Sequence, residues 1–152
     1  LCATEGVSLF MALVSAWAVF LARCSGQPDL VVGSYVANRE NEQTRSIVGL
    51  MLSRIFLRVR AGRSTRFKDV LQTVREQTFA AFDRRDVDER ALADRLGVRK
   101  LTDRNPLTQT QFLLQNFAPE SFQSSGAGTV ETSEYAGQSM ELGLEMWEQG
   151  QG

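Results

Sequence analysis

The stretch Arg104-Asn105-Pro106-Leu107, together with the run of residues 108–117 that follows it, sets the expected fold of this chain. The ring of Pro106 disfavours a helical backbone at Asn105 and favours an extended one. The apolar residues at 112–114 lie between glutamine side chains, which is typical of a strand entering a buried sheet. The stretch therefore predicts a turn that brings Arg104 and Asn105 to the edge of a core.

Length and composition indicate one ordinary globular unit. The chain has 152 residues, of which 43% are apolar, and this is enough to bury one core. One domain, or a large piece of one, is expected. Lysine and arginine number 17 against 18 aspartates and glutamates, so the net charge of -1 gives no general attraction to nucleic acid or to a membrane surface. Neither is predicted as a partner.

The charges are unevenly distributed along the chain. Residues 54–104 contain fourteen basic and eight acidic side chains, whereas residues 105–152 contain six glutamates and no basic residue. The middle of the chain can therefore meet an acidic partner.

The sequence contains no histidine, and Cys2 and Cys24 are its only cysteines. Two thiols cannot supply a four-ligand zinc site of the usual kind, and no metal site is predicted. The lack of histidine excludes Ser-His-Asp, Cys-His and His-metal chemistry within this chain. We interpret the cysteines as incidental reduced thiols and expect a cytoplasmic location.

Three helices are predicted. Residues 7–22 are almost wholly apolar but fall short of the roughly twenty residues that cross a bilayer, and Glu5 stands where a signal peptide carries basic residues. A buried helix capped by Ser8 is expected instead. Ser64 or Thr65 is predicted to cap a helix with an apolar stripe over residues 67–82. Asp88 is predicted to cap a shorter one that ends at Gly97.

The strand predictions rest on apolar alternation. Residues 29–37 are rich in β-branched side chains and almost continuously apolar, which predicts a strand covered on both faces. Residues 52–60 alternate between apolar and arginine side chains, which predicts a half-exposed strand with a basic outer face. Residues 140–147 alternate as well, after a Ser/Gly-rich loop at 118–128, and a turn is expected at 42–49. The order of elements predicts an α/β sandwich in which helices cover one face of a mixed sheet.

Several of these stretches, taken in order, resemble a known family. Residues 6–13 with 21–23, and residues 31–39, are similar to the first helix and the next strand of the C-terminal subdomain of a nonribosomal peptide synthetase condensation domain. That subdomain belongs to the chloramphenicol-acetyltransferase-like fold, a two-layer sandwich. The resemblance covers nearly the whole chain.

Three family motifs follow at the expected distances. Residues 47–49 and 57–58 match the ends of the motif Ile-Gly-x-Phe-Val-Asn-Thr-x-x-x-Arg, Asp86 lies where Gln-Asp-x-Pro-Phe-Glu falls, and residues 104–107 match the end of Arg-Asp-x-Ser-Arg-Asn-Pro-Leu. The chain departs from two of these motifs at other positions. Met51-Leu52-Ser53-Arg54 replaces Phe-Val-Asn-Thr, and Asp88-Glu89-Arg90 replaces Pro-Phe-Glu.

The resemblance implies that this chain is one part of a larger catalytic unit. The family's catalytic His-His-x-x-x-Asp-Gly motif lies in the N-terminal half, so residues 1–152 are expected to be a C-terminal subdomain that lacks that half and the last strands. No catalytic residue and no directly bound cofactor are expected. The parent would join a carrier-bound acyl or aminoacyl thioester to an amine, and its partners would be carrier proteins with phosphopantetheine arms.

The resemblance also assigns expected roles to individual residues. Arg104 and Asn105 would form a latch to the aspartate of the histidine motif, leaving Arg104 unpaired without the other half; alternatively, Arg104 is a surface arginine before a turn. Ser53 and Arg54 would line the substrate tunnel, or else be ordinary strand residues. Arg54 would favour an acidic substrate or pair with a local carboxylate. Carrier-protein docking is suggested for a basic set whose alternative interpretation is a solvated face, as most runs of charge are: Arg58, Arg60 and Arg63.

Two other functions remain open from the sequence. The altered residues at 51–54 and 88–90 suggest a non-catalytic platform that binds a carrier protein or a tailoring enzyme. The second open function is that of a related enzyme that transfers acyl groups to an alcohol instead of an amine. An intact or degraded histidine motif upstream would separate an enzyme from a platform.

Overall fold

The computed structural model of the protein describes residues 1–37, 42–98, 104–115 and 141–147. The predicted loop at 118–128 lies outside these residues. The helices are α1 (Cys2–Glu5), α2 (Leu9–Ser25), α3 (Glu42–Arg45), α4 (Phe67–Asp83) and α5 (Glu89–Arg95). The strands are β1 (Asp29–Ala37), β2 (Leu52–Arg60), β3 (Thr110–Gln115) and β4 (Leu142–Trp147).

The described strands form one mixed sheet in the order β2-β1-β3-β4. β1 pairs antiparallel with β2 along its whole length, from Asp29 opposite Arg60 to Ala37 opposite Leu52. β3 runs parallel to β1, and β4 runs parallel to β3. β1 lies between β2 and β3 in the sheet, and the chain connects β2 to β3 through α4 and α5. The predicted α/β class and mixed sheet are confirmed.

Helices α2 and α4 cover one face of this sheet. Ser8 caps α2 by accepting a hydrogen bond from the Met11 amide at 3.2 Å, and Asp88 caps α5 by accepting from the amides of Arg90 and Ala91 at 2.7 and 3.3 Å. Gly97 has a φ of 63°, the left-handed conformation that suits the residue after a helix. Both predicted caps and the predicted end of α5 are therefore confirmed.

The core lies between these two helices and the sheet. One side of β2 faces it, so that Ile55, Leu57 and Val59 are buried while Arg58 and Arg60 are exposed, as the alternation predicts. The centre of β1 is buried on both faces, as predicted. Other buried apolar side chains of the core are Met11, Val14, Ala18, Val32, Val70, Leu71, Val74 and Phe112.

The helix predictions differ from the structure in local detail. The N-cap of α4 is Arg66, and neither Ser64 nor Thr65 caps the helix, so that prediction is wrong. The physical reason is a turn closed by the Thr65 amide, which donates to the Gly62 carbonyl at 3.1 Å and delays the helix. The turn predicted at 42–49 contains the one-turn helix α3. Within the described ranges, every helix is too short or too polar to cross a lipid bilayer.

The core position of Leu57 gives a test of the fold. Leu57→Ala is expected to lower the free energy of unfolding by about 2–5 kcal/mol, because a fully buried leucine leaves a cavity when truncated. Leu52→Ala is the matched control, since Leu52 lies on the same strand and is 52% exposed. Urea denaturation of both variants measures the difference. Equal losses would contradict the assignment of Leu57 to the core.

Candidate functional site

The outer face of the sheet carries a cluster of polar side chains from three elements and one turn. We call Tyr35, Arg54, Glu89 and Asn105 the Arg54 cluster. Tyr35 lies on β1 directly opposite Arg54 on β2, because the antiparallel register makes them cross-strand partners. Glu89 is the first residue of α5, and Asn105 lies in the turn before β3.

Arg54 is the centre of the cluster. Its Nη1 atom donates to Oε1 and Oε2 of Glu89 at 3.0 and 3.2 Å. Its Nε donates to the Tyr35 hydroxyl at 3.1 Å, its Nη2 contacts the same hydroxyl, and its guanidinium carbon lies 5.0 Å from the centre of the Tyr35 ring. All three guanidinium nitrogens thus have partners within the chain.

Glu89 joins Arg54 to the turn before β3. The Asn105 side-chain amide donates to Oε1 of Glu89, the same oxygen that accepts from Arg54. The single carboxylate therefore connects the strand β2, the helix α5 and the turn. These are the three parts of the chain that carry the interior of one family motif and the ends of two others.

The cluster is partly removed from water. The Arg54 side chain is 22% exposed and that of Glu89 is 33% exposed. Burial alone lowers the pKa of Arg54, but hydrogen bonds and charge attraction from Tyr35 and Glu89 outweigh it and raise the pKa above its ordinary value. Arg54 therefore stays protonated at neutral pH.

The predicted turn at Asn105 and Pro106 is confirmed, and Asn105 organises it. Asn105 is buried, and its Oδ1 accepts from the amides of Leu107 and Thr108 at 2.8 and 3.1 Å. The Thr108 hydroxyl lies 2.7 Å from the Val31 carbonyl oxygen, which connects the turn to β1. The turn thus has a defined shape before it enters β3.

Arg104 has a partner within this chain. Its Nη1 lies 3.1 Å from Oε1 of Glu141, just before β4, and both side chains are about half exposed. The expectation that Arg104 is unpaired without another half of the domain is therefore wrong. The physical reason is that β4 runs beside β3 and brings a carboxylate from the acidic end of the sequence to the turn.

The structure bears on the roles expected for Ser53 and Arg54. One of the two roles expected for the charge of Arg54 is pairing with a local carboxylate, and Glu89 is that partner. Its donors are used by Tyr35 and Glu89, so selection of an acidic substrate by Arg54 is not supported. Ser53 is half-buried on β2, next to Arg54. The role of either residue as tunnel lining stays a prediction.

The basic set Arg58, Arg60 and Arg63 lies at the opposite end of β2 from Arg54. Arg58 donates to both carboxylate oxygens of Asp29 at 2.9 and 2.8 Å, and Arg60 reaches the same group at 3.4 Å. The hydrogen bond from Arg58 is the largest effect on Asp29 and lowers its pKa. Arg58 and Arg60 therefore share one carboxylate and leave a positive excess, whereas Arg63 lies in the turn after β2.

An apolar groove of about 600 Å³ borders the Arg54 cluster. It lies where β1 and β3 end and α2 begins, at the carboxyl ends of two parallel strands, a common place for ligand sites in such sheets. Tyr35 belongs both to the cluster and to the groove. Other lining side chains are Leu9, Phe10, Leu52, Phe82 and Leu113.

Apart from the Tyr35 hydroxyl, the described lining of the groove carries no acid-base group. Its described lining contains hydroxyl, amide and apolar side chains, and none with a carboxylate, imidazole or thiol. Among residues 1–37, 42–98, 104–115 and 141–147, no group of three metal-ligating side chains is assembled. The described lining of the groove is therefore suited to contacting a ligand through apolar, hydroxyl and amide groups.

Two members of the Arg54 cluster were not predicted from the sequence. In the sequence, Glu89 falls opposite the Phe of Pro-Phe-Glu and Arg90 opposite the Glu, yet Glu89 is the carboxylate that contacts the other motif segments. The Asp88 cap was the available signal, since it places Glu89 at the start of a helix. Tyr35 carries no local signal, because its role depends on the register between β1 and β2.

Comparisons with known proteins agree with the fold and the motifs. A family model described as the condensation domain matches residues 1–151. Gramicidin S synthase 2 of Brevibacillus brevis is 36% identical over 122 residues, which are 80% of this chain and 3% of that protein. Tyrocidine synthase 3 of Brevibacillus parabrevis is 33% identical over 145 residues, 95% of this chain and 2% of that protein. The chain thus spans a few per cent of these relatives.

A solved structure gives the same fold. The first condensation domain of the CDA synthetase superposes with a TM-score of 0.65 at 21% identity, over 76% of this chain and 25% of that one. The predicted chloramphenicol-acetyltransferase-like architecture is confirmed by this likeness. The chain therefore belongs to the condensation-domain family of nonribosomal peptide synthetases.

Proposed function

We propose that this chain is a C-terminal part of a condensation domain whose complete form joins a carrier-bound acyl or aminoacyl thioester to an amine. The observation that carries the proposal is the Arg54 cluster, which links three motif segments beside an apolar groove. Three segments that correspond to family motifs and lie far apart in sequence meet there, as segments that shape one working surface do. In the reaction, the amine attacks the thioester carbonyl, a C–N bond forms, the C–S bond breaks and the thiol leaves.

In this proposal the chain supplies surface and geometry rather than a base. The proton of the attacking amine goes to the histidine motif of the N-terminal half. The groove receives a phosphopantetheine arm, because a narrow arm with amide groups suits an apolar channel with hydroxyl and amide groups in its lining. Ser53 and Arg54 stand beside that path, with Arg54 acting as a structural tie rather than as a charge offered to substrate.

Arg104 and Asn105 form the proposed latch to the N-terminal half. Asn105 is fixed by Glu89 and by the amides of its own turn, whereas Arg104 is 46% exposed. An exposed ion pair is weak, so Arg104 can exchange Glu141 for the aspartate of the histidine motif at small cost. The turn would then present Arg104 in a fixed direction towards the other half.

The decisive experiment compares three proteins with two loaded carrier proteins. These are the complete domain, the same domain with the second histidine of its motif changed to alanine, and the 152-residue chain alone. Only the complete domain is expected to form the amide, detected by mass spectrometry of the acceptor carrier. Amide formation by the chain alone would contradict the proposal. Carrier binding without condensation by a complete domain would support the platform function instead, and product from an alcohol acceptor only would support ester formation.

Carrier-protein docking on Arg58, Arg60 and Arg63 is a separate proposal with its own test. Arg60→Glu with Arg63→Glu is expected to weaken binding of an acidic carrier protein about tenfold and to reduce its salt dependence. Arg95→Glu, on the exposed side of α5, is the control for a general change of charge. A titration followed by fluorescence anisotropy measures both. The same loss in both proteins would place docking elsewhere.

A further inference from the structure

Strands β1 and β3 separate before either of them ends. Residues 32–33 pair with residues 110–111, and the parallel register between the two strands stops there, although both strands continue for four more residues. We call the space between residues 34–37 and residues 112–115 the β1–β3 fork. The apolar groove described above occupies this space, since all of the first segment and most of the second belong to its lining.

The two edges of the fork carry main-chain groups that no neighbouring strand uses. β1 pairs with β2 as far as Ala37, and β3 pairs with β4 as far as Gln115, so each strand is bonded on its far side. Alternate residues of a strand direct their N–H and C=O groups to opposite sides, and about half of these groups therefore point into the fork. In the described part of the chain, no turn, loop or side chain bonds to them. Such groups need water or a ligand as a partner.

Ser34 adds a side-chain group at the closed end of the fork. It follows the last β1–β3 pair, is 1% exposed and belongs to the groove lining. Its hydroxyl bonds to no other described residue, whereas the equally buried Ser15 donates to the Met11 carbonyl at 2.6 Å, as buried hydroxyls usually do. The other polar side chains of the described lining are hydrogen-bonded within the chain: Ser8, Tyr35 and Gln115.

We infer that the β1–β3 fork binds the phosphopantetheine arm as a short inserted strand, with the amide groups of the arm bonded to both strand edges and to Ser34. The inference rests on the proposed function, which places the arm in this groove, and it adds how the arm is recognised. Main-chain bonding of an added extended chain is an established mode of recognition at strand edges. Here two edges face the same ligand.

The shape of the fork selects this occupant. The paired residues 32–33 and 110–111 close one end, and four residues at about 3.3 Å each give a depth of about 13 Å. Such a space admits a chain through its free end, which the pantetheine arm has. The two amide groups of the arm can bond to the edges, and the apolar lining contacts the short carbon segments between them.

Hydrogen exchange of the isotope-labelled 152-residue chain, followed by NMR with and without pantetheine under reducing conditions, tests the inference. About half of the amides in residues 34–37 and 112–115 are expected to exchange fast in the free chain, and bound pantetheine is expected to slow them about tenfold or more. No slowing at any pantetheine concentration would overturn the inference. Slowing by an extended peptide but not by pantetheine would overturn it in favour of a partner strand.

A matched ligand tests the hydrogen bonds themselves. An analogue of pantetheine with ester oxygens in place of both amide N–H groups keeps the length and the apolar segments but has lost those two donors. It is expected to bind about tenfold or more weakly than pantetheine, because main-chain carbonyl groups of the fork lose their partners. Equal binding of the two compounds would contradict recognition through the strand edges.

Two serine variants test the side-chain contribution. Ser34→Ala is expected to weaken pantetheine binding about three- to tenfold, since it removes one hydrogen bond between neutral groups. Ser15→Ala is the matched control, because it removes a buried hydroxyl that is bonded within α2 and lies outside the groove lining. It should bind within about twofold of the original chain, and the spectra of both variants report their folding. Unchanged affinity in Ser34→Ala, or the same loss in Ser15→Ala, would contradict the role of Ser34.

The inference and the proposed function can fail separately. Pantetheine that protects the fork, in a chain whose complete domain forms no amide, would support the inference and contradict the condensation function. Amide formation by the complete domain, with fork amides that pantetheine leaves unprotected, would support the function and overturn the inference.

Discussion

The ion pair between Arg54 and Glu89 is the contact on which the arrangement of the motif segments depends. It connects a strand to a helix that lies 35 residues further along the chain, and the same carboxylate then holds Asn105. A partly buried pair of this kind stabilises only when its remaining donors and acceptors are satisfied. Here Tyr35 takes the other nitrogens of Arg54, and Asn105 donates to Glu89. The cluster is therefore a closed set of contacts within the chain.

The contacts of Asn105 also determine how the turn at Asn105 and Pro106 is held. The turn is shaped from inside by Asn105 and attached to β1 by Thr108, so its geometry does not need a second protein surface. Arg104, next to it, reaches outwards to Glu141 through an exposed ion pair. One residue of the motif is thus fixed and its neighbour is exchangeable. A turn with one fixed and one exchangeable residue is preorganised, which lowers the entropy cost of binding a second surface.

Local patterns predicted much of the fold, and contacts between distant residues were beyond them. The alternation around Ile55 and the capping chemistry of Ser8 and Asp88 are set by neighbours in sequence, and both were read correctly. The sequence does not predict the start of α4 correctly, because the backbone hydrogen bond from the Thr65 amide to the Gly62 carbonyl leaves no sequence signal. Glu89, Tyr35 and the partner of Arg104 were missed for a stronger reason. Their roles depend on strand register and on the packing of α5, which no local pattern specifies.

Arg54 and Glu89 are predicted to be energetically coupled, and a double-mutant cycle measures this coupling directly. The cycle uses Arg54→Met, Glu89→Gln and the double variant, with free energies of unfolding from urea denaturation. A favourable coupling of about 1–3 kcal/mol is predicted, because the pair is partly buried and fully bonded. The exposed pair of Arg66 and Asp69 is the reference cycle, for which at most about 0.5 kcal/mol is expected. A coupling between Arg54 and Glu89 no larger than in the reference cycle would contradict the role of this ion pair in holding the motif segments together.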